Sequence, residues 1–235
     1  MSGIETVLKE SFEMLFEKPK LFVPRLFSAS VSSLMIIGWF TGFLTTTQFL
    51  ASFPIVAVIG AFTPVIVSSM VEEKEEKNAL KKAFTDSLQL WKQVLGLTLL
   101  TMFLAFLNSL PLSLGLIITY ITGNSLYLFA GGLISLLILL GISFGLYFVP
   151  ISLVKDRELF VGLQNAFSTS NRNRREVFTL TLFSLAILLA SSTVTGRLRD
   201  IGFTVFFLGR MVSSVVGTYL LIVSPHFYLS QEEVE

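Results

Sequence analysis

The amino-acid sequence predicts an all-α membrane protein whose six transmembrane helices form three hairpins. Hydrophobic residues make up 53% of the 235 residues and charged residues only 14%, whereas soluble domains carry about 25% charge. The mean hydropathy is +0.77. Six apolar stretches each approach or exceed the roughly 20 residues that a spanning helix needs. Residues 1–235 are therefore predicted to form a single integral membrane domain.

The predicted spans are uncharged apolar runs separated by polar connections. Gly123-Asn124-Ser125 marks the turn of the second hairpin, and residues 196–202 mark the turn of the third. The first turn has the weakest signal, because only small polar residues and Pro54 interrupt the apolar run. The spans are expected at residues 26–46, 54–71, 94–120, 127–154, 177–195 and 203–228.

Basic residues are concentrated on one side of the predicted membrane. Arg197 and Arg199 are the only ones in the opposite connections, and Arg210 falls inside the last span. Short cytoplasmic loops retain lysine and arginine during insertion. We therefore expect a multi-pass cell-membrane protein with both termini and both long connections in the cytoplasm. The remaining basic residues are Lys9, Lys18, Lys20, Arg25, Lys74, Lys77, Lys81, Lys82, Lys92, Lys155, Arg157, Arg172, Arg174 and Arg175.

The sequence repeats itself at an offset of 83 residues, which aligns residues 69–100 with residues 152–183 and makes 11 of 32 pairs identical. A shorter third copy begins near residue 7. The predicted units are residues 4–71, 78–154 and 161–228. All three begin on the same side, so a parallel, pseudo-threefold arrangement about an axis along the membrane normal is expected. Three such hairpins could enclose a central cleft.

Each unit opens with an amphipathic segment whose apolar residues recur at spacings of three and four. Leu8, Leu80 and Leu163 occupy corresponding positions in the three copies. A helix of this kind beside a membrane entry point could lie flat in the interface. It could equally pack against the cytoplasmic ends of the spans, and the pattern leaves both interpretations open.

Composition excludes several kinds of chemistry. The chain has no cysteine, so disulfides, zinc-thiolate sites and iron–sulfur clusters are ruled out. The net charge of +1 is spread over short loops and gives no sign of nucleic-acid binding. All 16 acidic residues lie outside the predicted spans, which disfavours a proton-coupled carrier. No cofactor and no metal site are expected.

Two features invite a catalytic interpretation that their context does not support. Residues 141–145 match G-x-S-x-G, but Ser143 lies inside a predicted membrane helix with no strand before it. Gly141 and Gly145 are better explained as a helix-packing face, as are Gly38 and Gly42. His226 is the only histidine and has no carboxylate near it in the sequence. We therefore predict no catalytic residue and a non-enzymatic protein.

Four residues are the remaining site candidates. Arg210 interrupts an otherwise neutral span, so it could bind an anionic lipid headgroup, pair with Asp200, or reach the outer interface. Pro64, Pro150 and Pro225 fall near the cytoplasmic ends of the even-numbered spans. Each removes a backbone donor and could kink a gating helix or simply end it.

The segment 153–167, with sequence LVKDRELFVGLQNAF, precedes a long apolar helix. In this layout the chain resembles uncharacterised prokaryotic six-helix membrane families, including the membrane domain attached to some glycerophosphodiester phosphodiesterases. That resemblance implies six spans and no defined activity, and the phosphodiesterase catalytic domain has no counterpart in this sequence.

The leading functional hypothesis is a membrane protein that binds lipid or a membrane partner, including a second copy of itself, with the amphipathic segments as contact elements. The alternative is a pore or uncoupled transporter along the pseudo-symmetry axis. A substrate-sized polar cavity open to one side would favour transport, whereas a phenylalanine-lined cleft open laterally would favour lipid.

Overall fold

A computed structural model describes residues 4–73 and 78–232, and every regular element in these ranges is helical. A short 3-10 turn, Pro19–Leu21, joins the first two helices. The helices are α1 (Ile4–Glu17), α2 (Phe22–Phe40), α3 (Thr46–Glu72), α4 (Ala79–Gln89), α5 (Trp91–Thr122), α6 (Leu126–Leu146), α7 (Val149–Asp156), α8 (Leu159–Arg172), α9 (Arg174–Ile201) and α10 (Phe203–Glu232).

Six helical segments of the described chain are long and apolar enough to cross a membrane, which confirms the predicted number of spans and the all-α membrane class. Helices α1, α4 and α8 precede the first, third and fifth of these segments and, with 14, 11 and 14 residues, are too short to span. The segments are Pro19–Phe40, Thr46–Glu72, Trp91–Thr122, Leu126–Asp156, Arg174–Ile201 and Phe203–Gln231.

The first and third hairpin turns differ from their predicted positions. Thr45 accepts from the backbone of Gln48, whose side chain accepts from Thr45 in return, so α3 begins about two turns before Pro54. In the third hairpin, α9 continues through Gly196, and Gly202 alone separates it from α10. The long third turn was therefore a wrong prediction, because one glycine at φ +156° completes the reversal.

The predicted spans also misplaced Arg25 and drew the fourth span as continuous. Arg25 lies inside α2, since the first span begins at Pro19 and not at Leu26. The fourth span breaks at Tyr147 and Phe148, and Pro150 lies in the first turn of α7. In the first turn of a helix the backbone N–H has no partner within the helix, so the N–H that proline lacks is not missed. Ser224 of α10 donates to the Tyr147 carbonyl at 2.6 Å and so satisfies this break.

The packed core lies at the end of the bundle that carries α1, α4 and α8. Phe148 and Phe227 stack there with ring centroids 5.9 Å apart, and both are almost completely buried. The core draws on all three hairpins, so the axis of the bundle is filled at this level. Its most deeply buried members include Val7, Leu21, Val65, Val67, Val94, Ile151, Leu153, Ala166, Val177, Leu180, Ile222 and Val223.

The opposite end of the second hairpin packs mainly on itself. Beyond Thr98, Gly115 is the only buried residue of α5, and the buried residues of α6 are Gly131 and Ser135. Ser135 donates to the carbonyl of Asn108 at 2.8 Å. The remaining surface of these helices exposes leucine, isoleucine and phenylalanine side chains, as a lipid-facing surface does.

The three short helices each bury residues at intervals of four. They dock on different neighbours: α1 on α10, α4 on α3, and α8 on α7. The buried positions are Val7, Ser11 and Leu15 in α1, Ala79, Ala83 and Ser87 in α4, and Gly162, Ala166 and Ser170 in α8.

Candidate functional site

Arg210 lies in α10 and points toward α2. Its Nη2 donates to Ser32 Oγ at 2.8 Å, and its Nε donates to Ser33 Oγ at 3.3 Å. Both serine hydroxyls donate in turn to the carbonyl of Ala29. The carboxylate of Asp200, one partner considered from the sequence, lies instead 3.8 Å from Arg199. Arg210 is therefore held by neutral hydroxyl groups.

Arg25 faces the same interface from the other helix. A Cβ added to Gly217 of α10 would lie 3.0 Å from Arg25 Nε and 3.4 Å from Nη2, so the guanidinium rests where α10 has no side chain. Its Nε is buried and has no hydrogen-bond partner among the described residues. The sequence missed this residue because the predicted span began one position after it.

Together these residues form what we call the arginine groove: Arg25, Ser32 and Ser33 of α2 with Arg210 and Gly217 of α10. The two helices run antiparallel. Arg25 meets α10 at Gly217, and Arg210 meets α2 at Ser32 and Ser33, so the two contacts lie about two turns apart along the pair. Two turns correspond to about 10 Å along the axis. No ion pair joins either arginine to an acid in the described part of the chain, so the groove carries two uncompensated positive charges.

Pro64 and Pro150 lie together in a second feature, which we call the apolar cleft. It is a cavity of about 460 Å³ between α3, α5 and the α6–α7 break, and its lining contains aliphatic and small residues where phenylalanine was expected. Pro225 is buried elsewhere, in α10. The lining residues are Ala57, Gly60, Ala61, Pro64, Leu97, Thr98, Thr101, Met102, Ala105, Leu146, Val149 and Pro150.

The polar groups of the apolar cleft are satisfied within their own helix. Thr98 donates to the Val94 carbonyl at 2.7 Å, and Thr101 donates to the Thr98 carbonyl at 2.9 Å. The walls consequently present methyl and methylene groups, and small side chains on α3 keep the space open. A cavity of this kind offers water too few partners to hold it, but it suits a hydrocarbon chain.

His226 has partners that the sequence did not reveal. Its Nδ1 lies 3.0 Å from Ser11 Oγ, and its Nε2 lies 3.3 Å from a carboxylate oxygen of Glu10. Ser11 is fully buried, so its hydroxyl is inaccessible to a substrate and the arrangement fastens α1 to α10. The available signal was a serine in the middle of the apolar stripe of α1.

The glycines that permit close helix approach are not those that the sequence indicated. Nothing lies within 4 Å of a Cβ built on Gly141, and the nearest atom to one on Gly145 is 3.8 Å away. At Gly115 and Gly131, however, the added carbon would come closer than 3.0 Å to a backbone oxygen of the facing helix. Close packing therefore occurs between α5 and α6 at these two positions.

A polar cavity of about 770 Å³ opens at the end of the bundle near α4. Glu73 of its wall pairs with Lys82, and the described lining contains both acidic and basic side chains. Lys74 and Lys77, which the sequence predicts to be cytoplasmic, lie outside the described residues. Its described lining is Ser69, Glu72, Glu73, Lys82, Asp86, Ser87, Leu90, Val154, Lys155 and Arg157.

Comparisons with known proteins add no family to this description. No family model, no curated protein and no solved structure matches the chain.

Proposed function

We propose that this is a non-enzymatic membrane protein of the cell membrane that binds lipid, and that the apolar cleft accommodates a lipid chain. The observation that carries the proposal is a hydrocarbon-lined cavity of about 460 Å³ on a membrane-spanning surface. This volume falls within the range of ligand sites, about 300–1,000 Å³. A lipid tail is the apolar ligand present at high concentration around a spanning helix.

The polar cavity near α4 is the observation that favours the alternative, a pore or uncoupled transporter, but the packing along the axis of the bundle supports lipid. A conduction path along the axis has to pass between the three hairpins, where Phe148, Ile151 and Val223 are almost completely buried. Opening that path would expose side chains packed at interior density. The apolar cleft needs no such rearrangement, since the space between α3, α5 and the α6–α7 break is already open.

The short helices α1, α4 and α8 supply a second set of lipid contacts in this proposal. Phe12, Phe84 and Phe167 each follow the middle buried residue of their helix by one position, and they are 54%, 52% and 58% exposed. Each phenylalanine therefore projects about 100° from the buried stripe. We place these rings in the cytoplasmic interface of the membrane, with the buried stripe against the spans.

This common burial pattern also supports the proposed three-unit repeat. The offset of 83 residues aligns Ala79, Ala83 and Ser87 with the buried residues of α8, and the shorter copy aligns them with the buried residues of α1. Units 4–71, 78–154 and 161–228 would then each contain one interfacial helix and one hairpin.

The experiment fills the apolar cleft and measures bound lipid. In Gly60→Phe the new side chain starts from a position with nothing within 4 Å and enters the cleft. The matched control is Gly141→Phe, whose position is equally open and outside the cleft. Native mass spectrometry from lipid nanodiscs should show lipid lost from Gly60→Phe and retained by wild type and control.

Equal lipid retention in both variants would contradict a lipid in the apolar cleft. Loss of self-association in Gly60→Phe, with lipid unchanged, would assign the cleft to a second copy of the chain. The same mass spectra therefore distinguish a second copy of the chain from lipid as the occupant of the cleft.

A further inference from the structure

We propose that the arginine groove binds a phosphate-bearing anion, namely the headgroup phosphate of an anionic lipid. Arg25 and Arg210 both lie within membrane-spanning segments, where an unpaired cation is expensive. Their described surroundings on α2 and α10 supply hydroxyl groups and a glycine surface, but no carboxylate.

The hydrogen bonds of the groove leave donors free for a ligand. Ser32 and Ser33 accept from Arg210 while their own protons go to Ala29. Arg210 uses Nε and Nη2 in these contacts, and its Nη1 has no partner among the described residues. Arg25 makes no hydrogen bond to a described residue; its Nε is buried, so its terminal nitrogens are left as the donors for a ligand. The groove therefore offers unused guanidinium donors and lacks acceptors.

Guanidinium groups favour phosphate among biological anions, because the planar fork donates two parallel hydrogen bonds to two phosphate oxygens. Ser32 and Ser33 fix the face that Arg210 presents, and Gly217 allows Arg25 to lie against α10. The contacts of the two arginines are separated by about 10 Å along the groove, so an anion between them is attracted by both.

This inference deepens the proposed lipid-binding function and rests on it for the source of the phosphate. The groove is formed by α2 and α10, whereas the apolar cleft is formed by α3, α5 and the α6–α7 break. A free phosphate ion would share the same chemistry as a headgroup. The two ligands differ in one respect: a headgroup phosphate is attached to a lipid, and a free phosphate ion is not.

The test uses the full chain in nanodiscs of phosphatidylcholine alone or with phosphatidylglycerol. Bound phosphatidylglycerol is counted by native mass spectrometry, and thermal unfolding is followed in parallel. The variants are Arg25→Met and Arg210→Gln, and the matched control is Arg199→Gln, which removes one positive charge at the exposed Asp200 pair. Wild type and control should bind phosphatidylglycerol and gain thermal stability from it, and both groove variants should lose at least part of each effect.

Arg25→Met also gives a change of sign that loss of packing would not produce. In a maltoside detergent, which carries no phosphate, it should raise the unfolding temperature, because it removes a buried charge without a partner. In phosphatidylglycerol it should lower that temperature relative to wild type, because the anion loses a ligand. If Arg210→Gln fails to fold, this comparison in Arg25→Met alone decides the matter.

Inorganic phosphate added to phosphatidylcholine nanodiscs separates the two sources. The lipid assignment would be overturned in favour of a free anion by the following result: inorganic phosphate stabilises the wild type but not the groove variants, and phosphatidylglycerol has no effect. Unchanged phosphatidylglycerol binding in both groove variants would overturn the site itself. Gly60→Phe leaves both arginines intact, so the cleft and the groove can fail separately.

Discussion

Ser11 Oγ lies 3.0 Å from His226 Nδ1, and this contact joins the first helix of the chain to the last across 215 residues. Glu10 binds the other nitrogen of the same ring, while Tyr219 donates to the Leu8 carbonyl at 3.2 Å. The amphipathic helix α1 is thus held to α10 by three polar contacts.

Removing the serine hydroxyl should loosen this attachment. Ser11→Ala leaves the histidine nitrogen facing an apolar wall, and an unsatisfied buried polar group costs about 1–3 kcal/mol. We expect a lower unfolding temperature in detergent. Ser109→Ala, which removes an exposed hydroxyl that bonds only to its own helix, is the control and should leave that temperature unchanged. Equal values for the two variants would show that the contact contributes nothing to stability.

The α5–α6 hairpin should depend on Gly131 and not on Gly141. In Gly131→Ala the new methyl group would meet the backbone carbonyl of Pro111, and separating two helix backbones in the membrane should destabilise the hairpin by about 1–3 kcal/mol. Gly141→Ala has open space and should be neutral or slightly stabilising. Unfolding in mixed micelles measures both. A neutral Gly131→Ala would mean that the hairpin is looser than described.

The cytoplasmic position of α8 remains a prediction from the distribution of basic residues. The chain has no cysteine, so Arg172→Cys and Asn124→Cys each carry a single thiol, the first at the end of α8 and the second in the α5–α6 turn. A membrane-impermeant maleimide applied to intact cells should label position 124 and spare position 172. The reverse pattern would invert the topology. Position 77, a natural site for the same test, lies outside the described residues.

Phe84 should lie at the level of the lipid headgroups if α4 is interfacial. We expect Phe84→Trp, in a background with Trp39 and Trp91 replaced by phenylalanine, to show blue-shifted fluorescence that brominated lipids quench. Thr85→Trp places the same probe one position further round the helix, on an exposed face, and should be quenched less. Equal quenching at the two positions would contradict the proposed orientation of α4.

Sequence reasoning found the spans because hydrophobic length is a strong local signal, and it failed where a boundary or a distant contact decided the outcome. Arg25 was assigned to the connection because its span was drawn from uncharged residues alone. A spanning helix tolerates an arginine near its end, so that criterion began the helix too late.

The partners of His226 could not be found by pattern, because they lie at the other end of the chain. The packing glycines failed for a related reason. A GxxxG spacing shows that close approach is sterically possible, but which face meets another helix depends on the whole bundle. Gly115 and Gly131 face one another across a hairpin, whereas Gly141 faces open space.

The self-contained packing of α5 against α6 has a mechanical consequence. The hairpin is anchored to the other spans mainly near the end of the bundle that carries α4 and α8, and its far half rests on its own helices. Such a hairpin can change its tilt without disturbing the interior of the protein. Bilayers differ in hydrocarbon thickness by a few ångströms, and a spanning helix adapts by tilting at modest energetic cost. The second hairpin can therefore absorb differences in membrane thickness while the remaining spans keep their packing.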